Sequence, residues 1–123
     1  MDRTFLFLAG FLGFLGVAAG AFGAHALRDA LDPPLLAAFN TGARYHLLHA
    51  VALLGVALLA DRKPSTAVSV AGWSFVLGIA LFSGSLYALA LTGARPLGAI
   101  TPFGGMTLLI GWAALAVSAL QAP

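Results

Sequence analysis

One stretch of this chain, Thr41-Gly42-Ala43-Arg44-Tyr45-His46-Leu47-Leu48-His49, places a guanidinium, a phenol and two imidazoles close together. On a helix, His46 and His49 are three apart and share a side. Three chemistries suit these groups. Arg44 with nearby hydroxyls suits an anion: a phospholipid head group, a carboxylate or a phosphate. Two imidazoles with His25 as a third suit zinc. Histidine inside a membrane suits a proton relay. The rest of the sequence narrows the choice. No carboxylate lies deep in any apolar stretch and there is no H-E-x-x-H motif, so a metal-dependent hydrolase lacks a general base. There are no cysteines, which excludes disulfides, thiolate metal sites and thiol nucleophiles. A relay needs a path across the membrane, and the apolar halves of the helices offer none. These residues assign no catalytic group, no metal and no cofactor.

The groups must be held by membrane helices. Of 123 residues, 61% are hydrophobic and 8% charged, where a soluble domain carries about 25% charged residues. That is too little charge for a water-facing surface, and four apolar stretches reach membrane-spanning length. The expected fold is an all-α membrane protein. It is a four-transmembrane-helix bundle with both termini on the same side, one domain over residues 1–123, with helices at about 4–27, 34–60, 66–91 and 101–120. A net charge of +2 gives no reason to expect nucleic acid.

Helix one carries Gly16, Gly20 and Ala24 every four residues, a small-residue face of the kind that lets another backbone approach in lipid. Ala24-His25-Ala26 resembles a signal-peptidase site, but the apolar core is longer than a signal peptide needs. His25 and Arg28 emerge at the end of this helix. Asp32-Pro33-Pro34 reads as a helix start, with Asp32 as the cap. The 16 residues from Tyr45 to Ala60 span about 24 Å, short of a hydrocarbon core of about 30 Å. Helix two therefore recruits residues before Tyr45, with a bend possible near Gly42. That places Arg44 near the membrane boundary and His49 about 7 Å deeper.

Ser65 reads as the cap of helix three, whose Ala80, Gly84 and Ala88 form a second small-residue stripe. Ser83 and Tyr87 share a face, and Ser83 and Ser85 are expected to bond back to carbonyls of their own helix. Thr101 reads as the cap of helix four, followed by Pro102 and the pair Gly104-Gly105. Two short phrases echo at an offset of 62: Leu15-Gly16-Val17-Ala18 with Leu77-Gly78-Ile79-Ala80, and His25-Ala26-Leu27 with Tyr87-Ala88-Leu89. Two duplicated hairpins would leave such an echo, and so would chance in a chain this rich in Ala, Gly and Leu.

These helix directions gather His25, Arg28, Arg44, Tyr45, His46, His49, Ser83, Ser85, Tyr87, Arg95 and Thr101 at one end of the bundle. The positive ends of helices two and four point there as well. The candidate ligand-binding residues are His25, Arg28, Arg44, Tyr45, His49, Ser83, Ser85, Tyr87 and Thr101. The structural alternative has the arginines snorkelling or pairing with Asp29 and Asp32, and has His25 and His49 as buried register-fixing groups partnered by Tyr45 and Tyr87. Expected partners are membrane lipids, a lipophilic ligand and, through the glycine faces, a second copy of the chain. Arg3, Arg62 and Lys63 on the terminal side balance Arg28, Arg44 and Arg95 opposite, so charge counting ties. If the second trio serves packing or binding, the first sets the termini in the cytoplasm.

Gly20-Ala21-Phe22-Gly23-Ala24-His25, Tyr45 with His49, Phe82-Ser83-Gly84-Ser85-Leu86-Tyr87, Ile100-Thr101-Pro102, Gly104-Gly105 and Gly111-Trp112 resemble domain-of-unknown-function family 423. These are small bacterial inner-membrane proteins related to eukaryotic transmembrane protein 256. The resemblance covers nearly the whole chain. It implies a four-span membrane protein of unassigned activity and supplies no catalytic residues. Its pattern accepts Gln in place of His46 and an acidic residue in place of Arg44, which counts against a site needing all three histidines or that particular arginine. The sequence leaves a ligand binder and a non-catalytic scaffold as the two readings.

Overall fold

A computed structural model describes residues 3–121. Helix α1 spans Thr4–Ala24, α2 Pro33–Arg62 and α3 Thr66–Gly78. The third span continues through a π-helical segment, Ile79–Ser83, into α4, Gly84–Thr92. A 3-10 turn, Arg95–Ala99, leads into α5, Thr101–Ser118. Four helical stretches are thus long and apolar enough to cross a membrane.

The boundaries follow local chemistry. Pro33, with φ fixed and no N–H to lose, opens α2 after an extended Asp32. The expected Asp32 side-chain cap is not made. Ser65 does cap α3, its Oγ accepting the Val68 N–H at 3.2 Å. Gly93 closes α4 with φ of +70°, a left-handed conformation that only glycine adopts without strain. Thr101 is not a cap: Ile100 holds that position, and the Thr101 hydroxyl meets Ser85 Oγ at 2.6 Å instead. Helix one stops at Ala24, short of the expected residue 27, and α2 runs unbroken past Gly42.

α1 packs along α2, α3 packs along α5, and α2 lies against α3, the π segment and α4. The small-residue stripes fall differently from expectation. The buried positions of α1 are Ala9, Gly16 and Gly23, a seven-residue repeat that keeps one face on a neighbouring helix. A Cβ on Gly20 would meet nothing within 4 Å, and Ala24 is exposed. In the third span Ala80 is exposed and Gly84 likewise faces open space. Phe7, Phe11, Phe14 and Leu58 point outward, as the lipid-facing surface of a bundle requires, since hydrocarbon gives apolar side chains no reason to turn inward.

The two hairpins match each other in contact as well as in sequence. Gly16 packs on His46 of α2, and Gly78 packs on Leu108 of α5. Both members of each pair are 62 positions apart. Gly23 touches Phe39, and Ser85 bonds Thr101, at that same offset. The buried set Ala9, Gly16, Gly23 maps onto Ala71, Gly78, Ser85. The buried set Gly104, Leu108, Gly111 maps onto Gly42, His46, His49. The match has limits: Gly104 sits on Phe82 of its own hairpin, whereas Gly42 sits on Tyr87 and Leu86 of the other.

Candidate functional site

The polar groups meet inside the spans, not at the loop end of the bundle. His46 and His49, 4% and 3% exposed, lie near the middle of α2. The Tyr87 hydroxyl and His46 Nδ1 are 2.8 Å apart. One turn away, Ser83 Oγ donates to the Gly42 carbonyl at 2.7 Å. Ser83 and Tyr87 therefore do share a face, and that face joins the third span to α2. Ser83 reaches across to α2 instead of bonding back within its own helix. Ser85 does both, donating to Phe82 O at 3.0 Å and meeting Thr101 on α5.

His49 is held from two sides. Trp112 Nε1–H donates to His49 Nε2 at 2.9 Å, so that nitrogen must present a lone pair. The ring proton then sits on Nδ1, which donates to the Tyr45 carbonyl at 2.7 Å. Both partners fix one neutral tautomer. The imidazole is also walled by aromatic rings: Tyr45 stacks at 6.0 Å with 13° between planes, and Phe75 lies at 5.5 Å. Phe75 is fully buried and meets Trp112 edge-on at 5.0 Å.

This arrangement borders a half-open cavity of about 280 Å³ between α2, the π segment and α5, lined by Tyr45, His49, Phe82, Gly105, Leu108 and Trp112 among others and opening to the bundle surface past exposed Leu48 and Leu109. Its walls are almost wholly apolar, because the nitrogens of His49 and Trp112 already satisfy one another. Gly105 leaves room: a Cβ there would meet the Phe82 ring only at 3.7 Å. The cavity fits an apolar chain or ring better than a charged group.

The remaining candidates lie elsewhere. His25 caps the end of α1 through its backbone and is exposed, as is Arg28 in the following turn. Neither joins His49, because both lie past the end of α1 at the loop end while His49 sits near the middle of α2. Arg44 and Arg95 are exposed and do not line the cavity. Tyr45 is 41% exposed, Ser83 and Ser85 are buried, and Thr101 lies half-buried at the start of α5. Among the described residues no group of three His, Asp or Glu is placed to hold a metal, so the three-imidazole arrangement does not form. Two members of the network escaped sequence reasoning. His46 was set aside on the family pattern, yet it is as buried as His49. Trp112 enters the sequence reading only in the Gly111-Trp112 pair of the family resemblance, with no polar role attached.

The comparisons with known proteins agree with this architecture. A family model described as protein of unknown function (DUF423) matches residues 19–105. The chain belongs to this family. The UPF0382 membrane protein YwdK of Bacillus subtilis (strain 168) is 42% identical over 120 residues, covering 97% of this chain and 98% of that protein. A UPF0382 membrane protein of Haemophilus influenzae is 43% identical over 122 residues, with 98% and 97% covered. The UPF0382 inner membrane protein YgdD of Escherichia coli (strain K12) is 40% identical over 120 residues, with 98% and 92% covered. No solved structure matches the chain. This family member is an integral membrane protein with four spanning helices and no assigned activity.

The hydrogen bond between Trp112 and His49 is open to direct measurement. In a double-mutant cycle of Trp112→Phe and His49→Leu, unfolding in mild detergent should show a coupling of about 1 kcal/mol, within the range for side-chain bonds between membrane helices. Additive losses would mean that the bond contributes nothing.

Proposed function

We propose that this protein is a non-enzymatic binding protein of the inner (plasma) membrane, with cytoplasmic termini, that holds a lipid-like molecule in the cavity beside His49 and Trp112. The single observation supporting this reading is that cavity: a half-open space between the spans with aromatic rings in its walls, bordered by a histidine with a fixed tautomer. The apolar part of the ligand lies against Phe82, Leu108 and Trp112. Arg44, exposed and about 7 Å toward the loop end from His49, and the half-exposed Tyr45 phenol suit a polar or anionic head group. His25, Arg28, Arg95 and Thr101 take no direct part, and Ser83, Ser85 and Tyr87 support the helices that form the walls.

Native mass spectrometry from mild detergent tests this. The wild type should retain about one anionic phospholipid per chain. Gly105→Leu, which adds bulk at the cavity wall where a Cβ would meet only the Phe82 ring, at 3.7 Å, should lose it. An empty wild type, or undiminished retention in Gly105→Leu, would sink the reading. One observation favours a scaffold as the second reading: Gly10, Gly13, Gly20 and Gly84 would each accept a Cβ with nothing within 4 Å, so close approach by another helix remains open. The same spectra read subunit number, and a dimer lost on Gly20→Leu would support it.

A further inference from the structure

The end of the bundle that carries the turn between α2 and α3 has a cavity of a different kind from the one beside His49. There the last turns of α2 and α5 meet the first turn of α3. The space measures about 440 Å³, with Leu59, Val68 and Leu115 on its apolar side and Lys63, Ser118 and Gln121 on its polar side. It shares no lining residue with the cavity beside His49, and its walls are far more polar. Two helices end here, so it lies toward the head-group layer of the membrane and not within the hydrocarbon.

The polar groups are of two sorts. Lys63 brings a positive charge and three N–H donors, and its side chain makes no hydrogen bond or ion pair with a described residue. The acceptors come from α5. Ser118 Oγ gives its one proton to the Leu115 carbonyl at 2.6 Å, so toward the cavity it can only accept. The last carbonyls of a helix have no donor further along it, and those of Ala119 and Leu120 receive no hydrogen bond from a described residue. The negative dipole ends of α2 and α5 add to these acceptors. A simple anion would gain Lys63 and be repelled by two helix ends. A simple cation would gain the carbonyls and be repelled by Lys63. A zwitterion with its charges a few atoms apart gains both. The apolar side, with Val68 buried and Leu59 and Leu115 half-buried, suits a chain attached to that zwitterion.

We infer that this cavity binds a phospholipid whose head group is a phosphoethanolamine. The phosphate pairs with Lys63, the primary ammonium donates to Ser118 Oγ and to the end of α5, and the start of the acyl region lies against Leu59 and Leu115. A cavity of about 150 Å³ takes benzene, so this one has space for the head group. A trimethylated ammonium has no N–H to donate, and a phosphoglycerol has no cation for the helix ends. The site does not depend on the ligand proposed beside His49.

The test reloads delipidated full-length protein in mild detergent with phosphatidylethanolamine or with phosphatidylcholine of identical chains, and reads bound lipid by native mass spectrometry. The wild type should hold the ethanolamine lipid about tenfold more tightly, the ratio for one charge-assisted hydrogen bond. Ser118→Ala should narrow that ratio. Lys63→Gln should weaken both lipids, whereas Arg62→Gln, an exposed cation outside the walls, should weaken neither. Gly105→Leu, in the other cavity, should leave the ratio unchanged, so the two sites stand or fall separately. Free phosphoethanolamine should not displace the lipid, because the apolar side holds the chain. The inference is overturned by equal retention of the two lipids in the wild type, by an unchanged ratio in Ser118→Ala, by equal effects of Lys63→Gln and Arg62→Gln, by loss of the preference in Gly105→Leu, or by displacement with the free head group.

Discussion

Gly104→Ala should destabilise the protein by about 3 kcal/mol, the upper part of the range for overpacking. The reason is the kind of atom in the way. A Cβ on Gly104 would lie 2.6 Å from Phe82 Cα and 2.8 Å from the Leu81 carbonyl carbon, both backbone atoms of the π segment. A side chain can rotate away, whereas here α5 and the third span must separate. Separation would also stretch the Ser85–Thr101 bond at the same end of α5. The measurement is the unfolding midpoint in detergent compared with Gly84→Ala and Gly105→Ala, whose added methyl groups meet nothing closer than 3.7 Å. Those two should stay near the wild type. A Gly104→Ala protein as stable as these controls would show that the helices do not meet this closely.

Phe75→Ala should cost about 4 kcal/mol, within the range for deleting a buried aromatic ring. Phe75 is fully buried and belongs to the main core with Ala9, Leu53, Val56, Val68, Ala71 and Leu108. It also forms the floor beneath both His49 and Trp112. The variant should lose tertiary signal from Trp112 as well as stability, visible in near-ultraviolet circular dichroism. Gly111 offers an internal check. A Cβ there would lie 2.6 Å from the Phe75 ring, so Gly111→Ala should be harmful alone and largely rescued by Phe75→Leu. Absence of rescue would mean that the ring does not sit against Gly111.

The architecture was readable in the sequence because its cause is simple. Long apolar stretches, separated by Asp61-Arg62-Lys63-Pro64-Ser65 and by Gly93 with its neighbours, leave few alternatives to four spans. The relation between Ser83 and Tyr87 was also readable, since helical spacing fixes it. What escaped was rotation. Glycine spacing alone gives several equivalent stripes on α1, and only the partner helix selects Gly16 and Gly23 over Gly20. The depth of the polar groups was misjudged for a related reason. His25 and Arg28 look continuous with α1, but the helix stops at Ala24 and leaves them outside. The bond from Trp112 to His49 links residues 63 apart on helices that are not neighbours in sequence, and no local pattern encodes it.

The π segment sets the phase of everything after it. An ordinary helix turns about 100° per residue, so one surplus residue swings the remainder of the span by that angle. In the phase observed, Ser83 and Tyr87 meet α2 while Ser85 meets α5. Removing one residue between Ile79 and Ser83 would straighten the helix yet turn these three hydroxyls away from their partners. The irregularity is thus the device by which a single rod serves two neighbours, and shortening it should uncouple the two halves of the bundle without unwinding either.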